Sequence, residues 1–489
     1  MSNKILIRIG CFALVATFLL AACTTEATPE QVEVEVPVEV TRLVQVEGET
    51  VTIVETETIV VTATSAPEPT LVPASADNPI ELHVGVAMNA EELAVWLPLF
   101  EQLDADHPEW FLVLEQTPFA SVNEKMNANA AAGTLPCVQE VQGLFVNPFI
   151  RQGVFRPVDD LIDQYGVEMD DFWPGVVTEW RWQGETYGIP AVAAPELLVF
   201  NKDMLDAAGV EYPTDDWTFD DLREAAIQLT LDSAGRNPTD PAFDPADIQQ
   251  WGFNTSPASL PFWAHIFVEP WGGDFCADED CTRVSMTDPE DIEALEYWYD
   301  LVVNNNSALY DPFSGAQTGV PGDPFIAEKA ALGFGGYFII GVINANENFE
   351  FGVRQPPLGS AGRSTAFSTR GYSIPNTCEY PEEAFKLIQA LTSTEFLDEM
   401  WTKPGFSMPS RRSAAQTVLE TDLDGAESIL ATMEYGHGFR PNGPGGFEAY
   451  GQALGITTSV FMGETDLEEG YAEIEALVNE ILENAEQQQ

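Results

Sequence analysis

The chain has 489 residues, 45% of them hydrophobic, with 20 basic residues against 79 acidic residues and a formal net charge of -59. This length is too great for one compact domain, so two lobes with terminal extensions are expected. The composition excludes a nucleic-acid-binding protein, because neutralising phosphates requires clusters of Lys and Arg that this chain does not contain. Among so many carboxylates close pairs arise by chance, so no pair of acids is interpreted as a catalytic acid and base.

The amino terminus has the pattern of a bacterial lipoprotein signal. Lys4 and Arg8 precede an apolar stretch, residues 11–22, that is short for a membrane-spanning helix and suits a signal-peptide core. The stretch ends in the letters LAAC at Cys23. We therefore expect residues 1–22 to be removed and Cys23 to carry lipid that holds the protein on the outer face of the cytoplasmic membrane. Ordinary signal cleavage near this point is the alternative.

A compositionally distinct segment follows the lipid-bearing cysteine. Residues 24–78 are rich in Val, Glu, Thr and Pro. Around Pro37, valine alternates with other residues in the letters VEVEVPVEV. Alternation of this kind is typical of strands, but the proline and the Pro-rich end of the segment favour an extended or disordered stalk over a sheet. We expect residues 23–78 to act as the stalk and the folded part to begin near Pro79.

The start of the folded part alternates between strand and helix patterns. Residues 80–87 alternate like a strand, and the next segment has apolar residues at helical spacing until Pro108. A strand with the letters FLVLEQ, a helix over residues 121–132 and a strand with the letters CVQEVQ follow. This order reads βαβαβ and predicts an α/β fold with a mostly parallel sheet.

Two later helices are marked by clear start signals. Thr218 followed three residues later by Asp221 predicts a capped helix start, and Asp288 before Pro289 predicts a second one. The apolar residues of both segments recur at helical spacing, so we expect them to be structural helices.

The cysteines and histidines offer little chemistry. The letters CADEDC predict a small loop closed by a disulfide between Cys276 and Cys281, with a metal site as the alternative. For Cys137 and Cys378 the sequence does not decide the state, and buried free thiols are the default interpretation. The 4 histidines are scattered singly. No metal, cofactor or catalytic residue is expected.

A longer match identifies a family. Residues 184–230 contain the letters YGIP, NKDML, AAG and WTFDD in an order that resembles extracellular solute-binding proteins of family 1, the maltose-binding-protein-like group of ABC importers. Supporting segments of the same order are residues 131–138, 331–338, 368–375 and 405–414.

The resemblance implies a two-lobed periplasmic-binding-protein-like fold with three hinge crossings. Lobe one would comprise residues 79–193 with 371–408, and lobe two residues 194–370 with 409–485. The crossings would lie near Ala193, Arg370 and Met408, and the lobes would close over a ligand.

The resemblance also implies a function. We expect a substrate-binding subunit of an ABC importer that binds a mono- or oligosaccharide between its lobes and delivers it to a membrane permease. The protein would be a monomer and not an enzyme. A secreted carbohydrate-active enzyme and a surface sensor or adhesion module are the alternatives.

The second lobe offers aromatic side chains for the apolar faces of a sugar. The segment GGYF resembles the family segment that carries a stacking aromatic residue, which predicts ligand contacts for Tyr337 and Phe338. The aromatic-rich segment from Pro261 to Phe275 predicts further contacts for Phe262, Trp263 and Trp271. The alternative for each of them is packing inside the lobe.

Five polar candidates complete the expected site. Gln142 and Glu140 end a predicted strand and could point into the cleft, and Asn89 follows the first strand. Glu196 stands in an apolar strand after the hinge, where it needs either a ligand hydroxyl or an internal hydrogen bond. The guanidinium group of Arg370 could donate two parallel hydrogen bonds to vicinal hydroxyls or to a carboxylate of the ligand. Alternatively, it could form a salt bridge within the protein.

Overall fold

The structure is a computed structural model, and it describes residues 31–46, 49–64, 75, 77–255, 264–278, 280–310, 323–346, 349–440 and 443–487. The chain divides into two compact units, Met1–Pro73 and Ala74–Gln489. Cys23, Phe262 and Trp263, which the sequence analysis singled out, lie outside the described residues.

The strands of the described residues are, in chain order, β1 (Gln31–Val46), β2 (Glu49–Thr64), β3 (Ile80–Ala87), β4 (Trp110–Thr117), β5 (Val138–Gln142), β6 (Arg181–Trp182), β7 (Glu185–Thr186), β8 (Ile189–Asn201), β9 (Leu231–Asp232), β10 (Ile248–Thr255), β11 (Ala308–Tyr310), β12 (Ala330–Gly336), β13 (Phe351–Arg354), β14 (Ala366–Ser373), β15 (Met408–Pro409) and β16 (His437–Gly438). The α-helices are α1 (Ala90–Asp106), α2 (Val122–Ala132), α3 (Gly143–Arg151), α4 (Asp159–Tyr165), α5 (Pro174–Val177), α6 (Lys202–Ala208), α7 (Phe219–Leu229), α8 (Ala264–Phe267), α9 (Pro289–Tyr299), α10 (Ile339–Asn346), α11 (Pro381–Leu391), α12 (Thr394–Leu397), α13 (Arg412–Ala415), α14 (Ala426–Met433), α15 (Gly446–Phe461) and α16 (Leu467–Gln487). Short 3-10 and π-helical turns, including Thr178–Trp180 and Asp398–Thr402, connect several of them.

The first unit contains an antiparallel hairpin instead of the extended stalk that the sequence analysis favoured. Strand β1 pairs with β2 in one continuous register, from Val46 opposite Glu49 to Gln31 opposite Thr64. Pro37 stands within β1, opposite Thr58. A proline is tolerated there because both strands of a two-stranded sheet are edge strands, so its missing N–H can fall on the unpaired side. The alternation of β-branched residues therefore outweighs the proline.

The second unit is built on one sheet of 12 strands, whose main order is β11-β10-β12-β8-β14-β5-β3-β4. Strands β3, β4 and β5 are parallel, as the βαβαβ pattern predicted. At the other end of the sheet β10, β11 and β12 are also parallel. Strands β8 and β14 stand between the two parallel sets and run antiparallel to each other.

Each parallel set has its own hydrophobic core. We call the part around the core that contains Trp96 and Trp401 the first lobe, and the part around the core that contains Trp298 the second lobe. A third core joins them, with Leu197 on β8, Phe367 on β14 and other side chains from both lobes. The two-lobed α/β fold is therefore confirmed.

Local sequence signals explain where two helices begin. At α7 the Thr218 side chain accepts from the Asp221 N–H and the Asp221 side chain accepts from the Thr218 N–H, which is the predicted capping box. At α9 Asp288 stands at the cap position without a hydrogen bond to the helix, and its carboxylate accepts from Ser285 Oγ at 2.9 Å instead.

The last crossing between the lobes lies further along the chain than the expected position near Met408. Met408 does pair with Ala193, but Pro409 pairs with Val192 and continues along the first lobe. Ala414 is still part of the first core, and Val418 belongs to the core that joins the lobes. The chain therefore passes to the second lobe after α13, because the apolar face of that helix packs on the first core.

A disulfide joins two cysteines whose state the sequence left undecided. Cys137 and Cys378, for which free thiols were the default, form a disulfide across a sequence separation of 241, from the residue before β5 to the loop before α11. The sequence could not reveal it because only the folded first lobe brings these two segments together. Cys276 and Cys281 form a second disulfide, in the second lobe.

Candidate ligand-binding site

The carboxyl ends of the parallel strands define where a ligand would bind. In open α/β sheets, ligands lie in the crevice beyond these ends. In the first lobe, Asn89 follows β3, Phe119 follows β4 and Phe145 follows β5. In the second lobe, Tyr337 and Phe338 follow β12, whereas the segments after β10 and β11, residues 256–263 and 311–322, lie outside the described residues.

Arg370 is committed to an internal network of the first lobe. Its Nη2 donates to Glu92 Oε1 at 2.8 Å and its Nη1 donates to the Ala87 carbonyl at 3.3 Å. The guanidinium also lies 4.3 Å from the centre of the Trp401 ring. The side chain is only 12% exposed. Its hydrogen bonds therefore hold β14 against the end of β3 and the start of α1, which is the internal salt bridge weighed against ligand contact.

Glu140 belongs to the same network. Its Oε2 accepts from the Ala87 N–H at 2.7 Å, and its Oε1 lies 3.8 Å from Arg370 Nη1. Burial raises the pKa of Glu140 to about 7, although Arg370 and the Ala87 N–H favour the charged form. The structure places Glu140 inside the lobe, since its residue is 2% exposed.

Gln142 and Asn89 stand at the starts of helices. Gln142 is half-buried at the cap position of α3, opposite Arg370 on β14, and its side chain makes no cap bond. The side chain of Asn89 accepts from the Glu92 N–H at 2.7 Å, while Glu92 Oε2 accepts from the Asn89 N–H at 3.1 Å. Asn89 therefore caps α1 with its oxygen, and only its side-chain NH₂ remains for a ligand.

Tyr337 is buried at the boundary of the lobes. The residue is 1% exposed, its N–H donates to the Pro195 carbonyl at 3.1 Å, and burial raises the pKa of its hydroxyl. It lines a pocket of about 510 Å³ together with Thr402 of the first lobe and Phe351 of the second. Phe338 is half-buried and folds over Gly336. Of these two aromatic residues, Phe338 is the more accessible to a ligand.

Glu196 is a buried carboxyl group, and one of its two oxygens has no hydrogen-bond partner among the described residues. The residue is 2% exposed on β8, and its Oε1 has no partner among the described residues. Burial raises the pKa of Glu196 well above its usual value, which favours the neutral form of the carboxyl group. A neutral carboxyl can both donate and accept, which suits a sugar hydroxyl.

Trp271 packs within an aromatic cluster of the second lobe. Its ring centre lies 4.4 Å from that of Phe219 and 5.1 Å from that of Tyr297. The side chain is half-buried. The structure therefore places Trp271 in lobe packing, which was the alternative weighed against ligand contact.

An aromatic pair that joins the lobes was not predicted from the sequence. Phe145 on α3 and Phe447 on α15 lie with their ring centres 5.3 Å apart and nearly edge to face. Phe447 is 57% exposed, and Tyr450 lies one turn further along the same helix with its ring centre 6.4 Å from that of Phe447. The available signals were an aromatic residue just after β5 and aromatics spaced i, i+3 in the Gly- and Ala-rich first half of α15.

The described residues contain neither a metal-binding cluster nor a membrane-spanning helix. In that part of the chain, no group of three or more His, Cys, Asp or Glu side chains is placed to hold a metal ion. No helix of the described residues is long and apolar enough to cross a membrane.

Comparisons with known proteins agree with this architecture. The family model of the bacterial extracellular solute-binding protein matches residues 99–424. An arabinooligosaccharide-binding protein of Halalkalibacterium halodurans is 25% identical over 238 residues, which is 46% of this chain and 48% of that protein.

Two solved structures share the fold over most of the chain. One is an ABC substrate-binding protein of Listeria monocytogenes in complex with cycloalternan, with a TM-score of 0.69 and 18% identity over 82% of this chain and 99% of that one. The other is the sugar-binding protein MalE of Xanthomonas citri, with a TM-score of 0.70 and 16% identity over 83% of this chain and 98% of that one. With the family match, they place the chain among the bacterial extracellular solute-binding proteins, and it is a member of that family.

Proposed function

We propose that this protein binds a carbohydrate between its lobes and delivers it to the permease of an ABC importer. The observation that carries the proposal is the pair of aromatic residues, Phe145 and Phe447, that meets at the boundary of the lobes with Phe447 57% exposed. Exposed aromatic rings bind the apolar faces of sugars, and neighbouring polar groups bind their hydroxyls. The named relatives that bind an arabinooligosaccharide or cycloalternan support this class of ligand.

The polar half of the proposed site comes from groups near the crossings. Gln142 is half-buried with no cap bond, and Glu196 Oε1 has no partner among the described residues. Gln142 carries no charge, and burial raises the pKa of Glu196, which favours its uncharged form. An uncharged sugar therefore fits them better than an anion, which the net charge of -59 repels.

The cellular arrangement is part of the same proposal. Lipid on Cys23 would hold the protein at the outer face of the cytoplasmic membrane, and residues 24–78 would link the lipid-bearing cysteine to the folded part along the chain. The protein would act as a monomer and release its sugar unchanged.

A thermal-shift screen of the full chain against a carbohydrate panel tests the proposal. A ligand at 100 times its Kd stabilises the folded state by about 2.7 kcal/mol, so a binding sugar raises the Tm measurably. Chromatography of the same samples must return the sugar intact, since turnover would show an enzyme instead. A panel in which no sugar raises the Tm, while a peptide or an ion does, would contradict the proposal.

A further inference from the structure

Glu179 is a buried carboxyl group that no ligand-binding role explains. It stands in the 3-10 turn Thr178–Trp180 and is 3% exposed. Its Oε2 accepts from the Thr369 hydroxyl, and its Oε1 has no partner among the described residues. A carboxyl with one unsatisfied buried oxygen is unfavourable when charged, so its position requires a reason.

Three chain segments close around this carboxyl group. Thr369 lies on β14, Gly143 begins α3 of the first lobe, and Gly438 lies on β16, which follows the last crossing and pairs with β14. A Cβ added at Gly143 would lie 2.4 Å from Glu179 Oε2, and one added at Gly438 would lie 2.2 Å from Glu179 Cδ. The carboxyl group therefore fills space that two glycines leave open.

The charged groups nearest in sequence to these segments face elsewhere. Arg370, next to Thr369, donates a hydrogen bond to Glu92. His437, next to Gly438, has its Nε2 3.0 Å from Glu269 Oε2. Burial raises the pKa of Glu179 to about 8, and the Thr369 hydrogen bond opposes that shift only in part. Among the described residues, no charge on β14, α3 or β16 neutralises an ionised Glu179.

We propose that Glu179 is a proton-dependent latch between the lobes: its neutral form allows the three segments to close over it, and its ionised form holds them apart. The inference rests on the hinge motion of the proposed function. It adds a control that does not depend on which ligand is bound, because Glu179 is enclosed by protein alone.

The sign of the pH dependence follows from linkage. The closed arrangement holds the proton with a pKa of about 8, whereas a carboxyl that water reaches has the usual value of 4.5. The ratio of closed to open molecules is therefore highest, and constant, below pH 4.5. Above that point it falls by up to about tenfold per pH unit, and it levels off once the pH exceeds the pKa of the closed form. Apparent ligand affinity follows the same curve, since the ligand needs the closed form.

Distances between two nitroxide labels, measured by double electron–electron resonance without sugar, test the latch. One label would replace Asp163 on α4 and the other Glu224 on α7, which are both exposed. Cys11 and Cys23 would be changed to serine, because the remaining four cysteines are in disulfides. We expect the shorter-distance population to fall at least about tenfold between pH 5 and pH 9 relative to the longer one.

Variants decide whether Glu179 is the responsible group. Glu179→Gln should keep the pH 5 distribution at pH 9, and Glu211→Gln, at an exposed site, should behave as the parent chain. Thr369→Val should move the levelling-off of the ratio to higher pH, because losing the hydrogen bond that favours the charged form raises the pKa of Glu179 in the closed arrangement. Labels at Glu101 and Asp163, both in the first lobe, should show no change.

A distance distribution that does not change with pH, or a Glu179→Gln variant that opens like the parent chain, overturns the latch. Because no sugar is present, either result leaves the carbohydrate proposal to its own test.

Discussion

The two lobes present different chemistry to the space between them. In the first lobe the charged residues near the strand ends, Arg370, Glu92 and Glu140, pair with one another and with the Ala87 backbone. In the second lobe Glu196 Oε1 and Asn254 Oδ1 are buried with no partner among the described residues. The charged groups at these first-lobe strand ends therefore hold that lobe together, whereas Glu196 has no described ion-pair partner of its own and can serve a ligand.

The lobes also differ in how they are covalently closed, which gives the largest expected effect. The Cys137–Cys378 bridge closes a separation of 241 residues in the first lobe, and the Cys276–Cys281 bridge closes one of 5 in the second. From chain entropy we expect the free energy of unfolding to fall by about 5 kcal/mol when the long bridge is removed and by about 2 kcal/mol when the short one is removed. Guanidinium unfolding of the two paired serine variants measures both, and equal losses would contradict this difference between the lobes.

Arg370→Ala tests whether the first-lobe network is structural. The variant leaves Glu92 and Glu140 buried without their cation, so we expect the free energy of unfolding to fall by about 3 to 5 kcal/mol. Arg370→Met combined with Glu92→Met and Glu140→Gln should recover most of that loss, because no charge then stays buried.

The matched change in the second lobe is Glu196→Gln. Since burial favours the neutral form of that carboxyl, which Gln resembles in shape and hydrogen bonding, we expect this variant to unfold within about 1 kcal/mol of the parent chain. Urea unfolding at pH 7 measures both variants. If Glu196→Gln destabilises the chain as much as Arg370→Ala does, the contrast between the lobes is wrong.

The smallest expected effect concerns ligand affinity alone. Phe145→Ala and Phe447→Ala each remove one ring of the pair between the lobes, and a ring contact contributes about 1 kcal/mol, so we expect Kd to rise about fivefold to tenfold. Met462→Ala is the control, because Met462 is 61% exposed near the end of the same helix. Calorimetric titration with a sugar found in the panel gives the three affinities, and an unchanged Kd in both phenylalanine variants would remove the pair from the site.

Much of the fold could be predicted because its signals are local or shared with a family. The alternation of strand and helix patterns predicted the parallel strands β3, β4 and β5, and Thr218 with Asp221 marked the start of α7. The end of the first lobe was harder to place. Residues 409–415 follow the crossing point expected near Met408, yet α13 still packs on the first core through Ala414, while Ala415 belongs to the core that joins the lobes.

The site was less predictable because side-chain partners depend on tertiary contacts. Arg370 was a reasonable ligand candidate until the fold placed Glu92 within 2.8 Å of it. The Cys137–Cys378 disulfide and the contact between Phe145 and Phe447 likewise join segments hundreds of residues apart. No local pattern records such contacts, whereas the apolar surroundings of Glu196 in the sequence did predict a buried carboxyl group.

A crystal structure of the chain with the best sugar of the panel tests the central claim most directly. The account predicts density for the sugar between α3 and α15, with at least one ring of Phe145 or Phe447 against a sugar face and a hydroxyl near Gln142 or Glu196. Density only in the pocket lined by Thr402 and Phe351, or on the outer surface of one lobe, would contradict it.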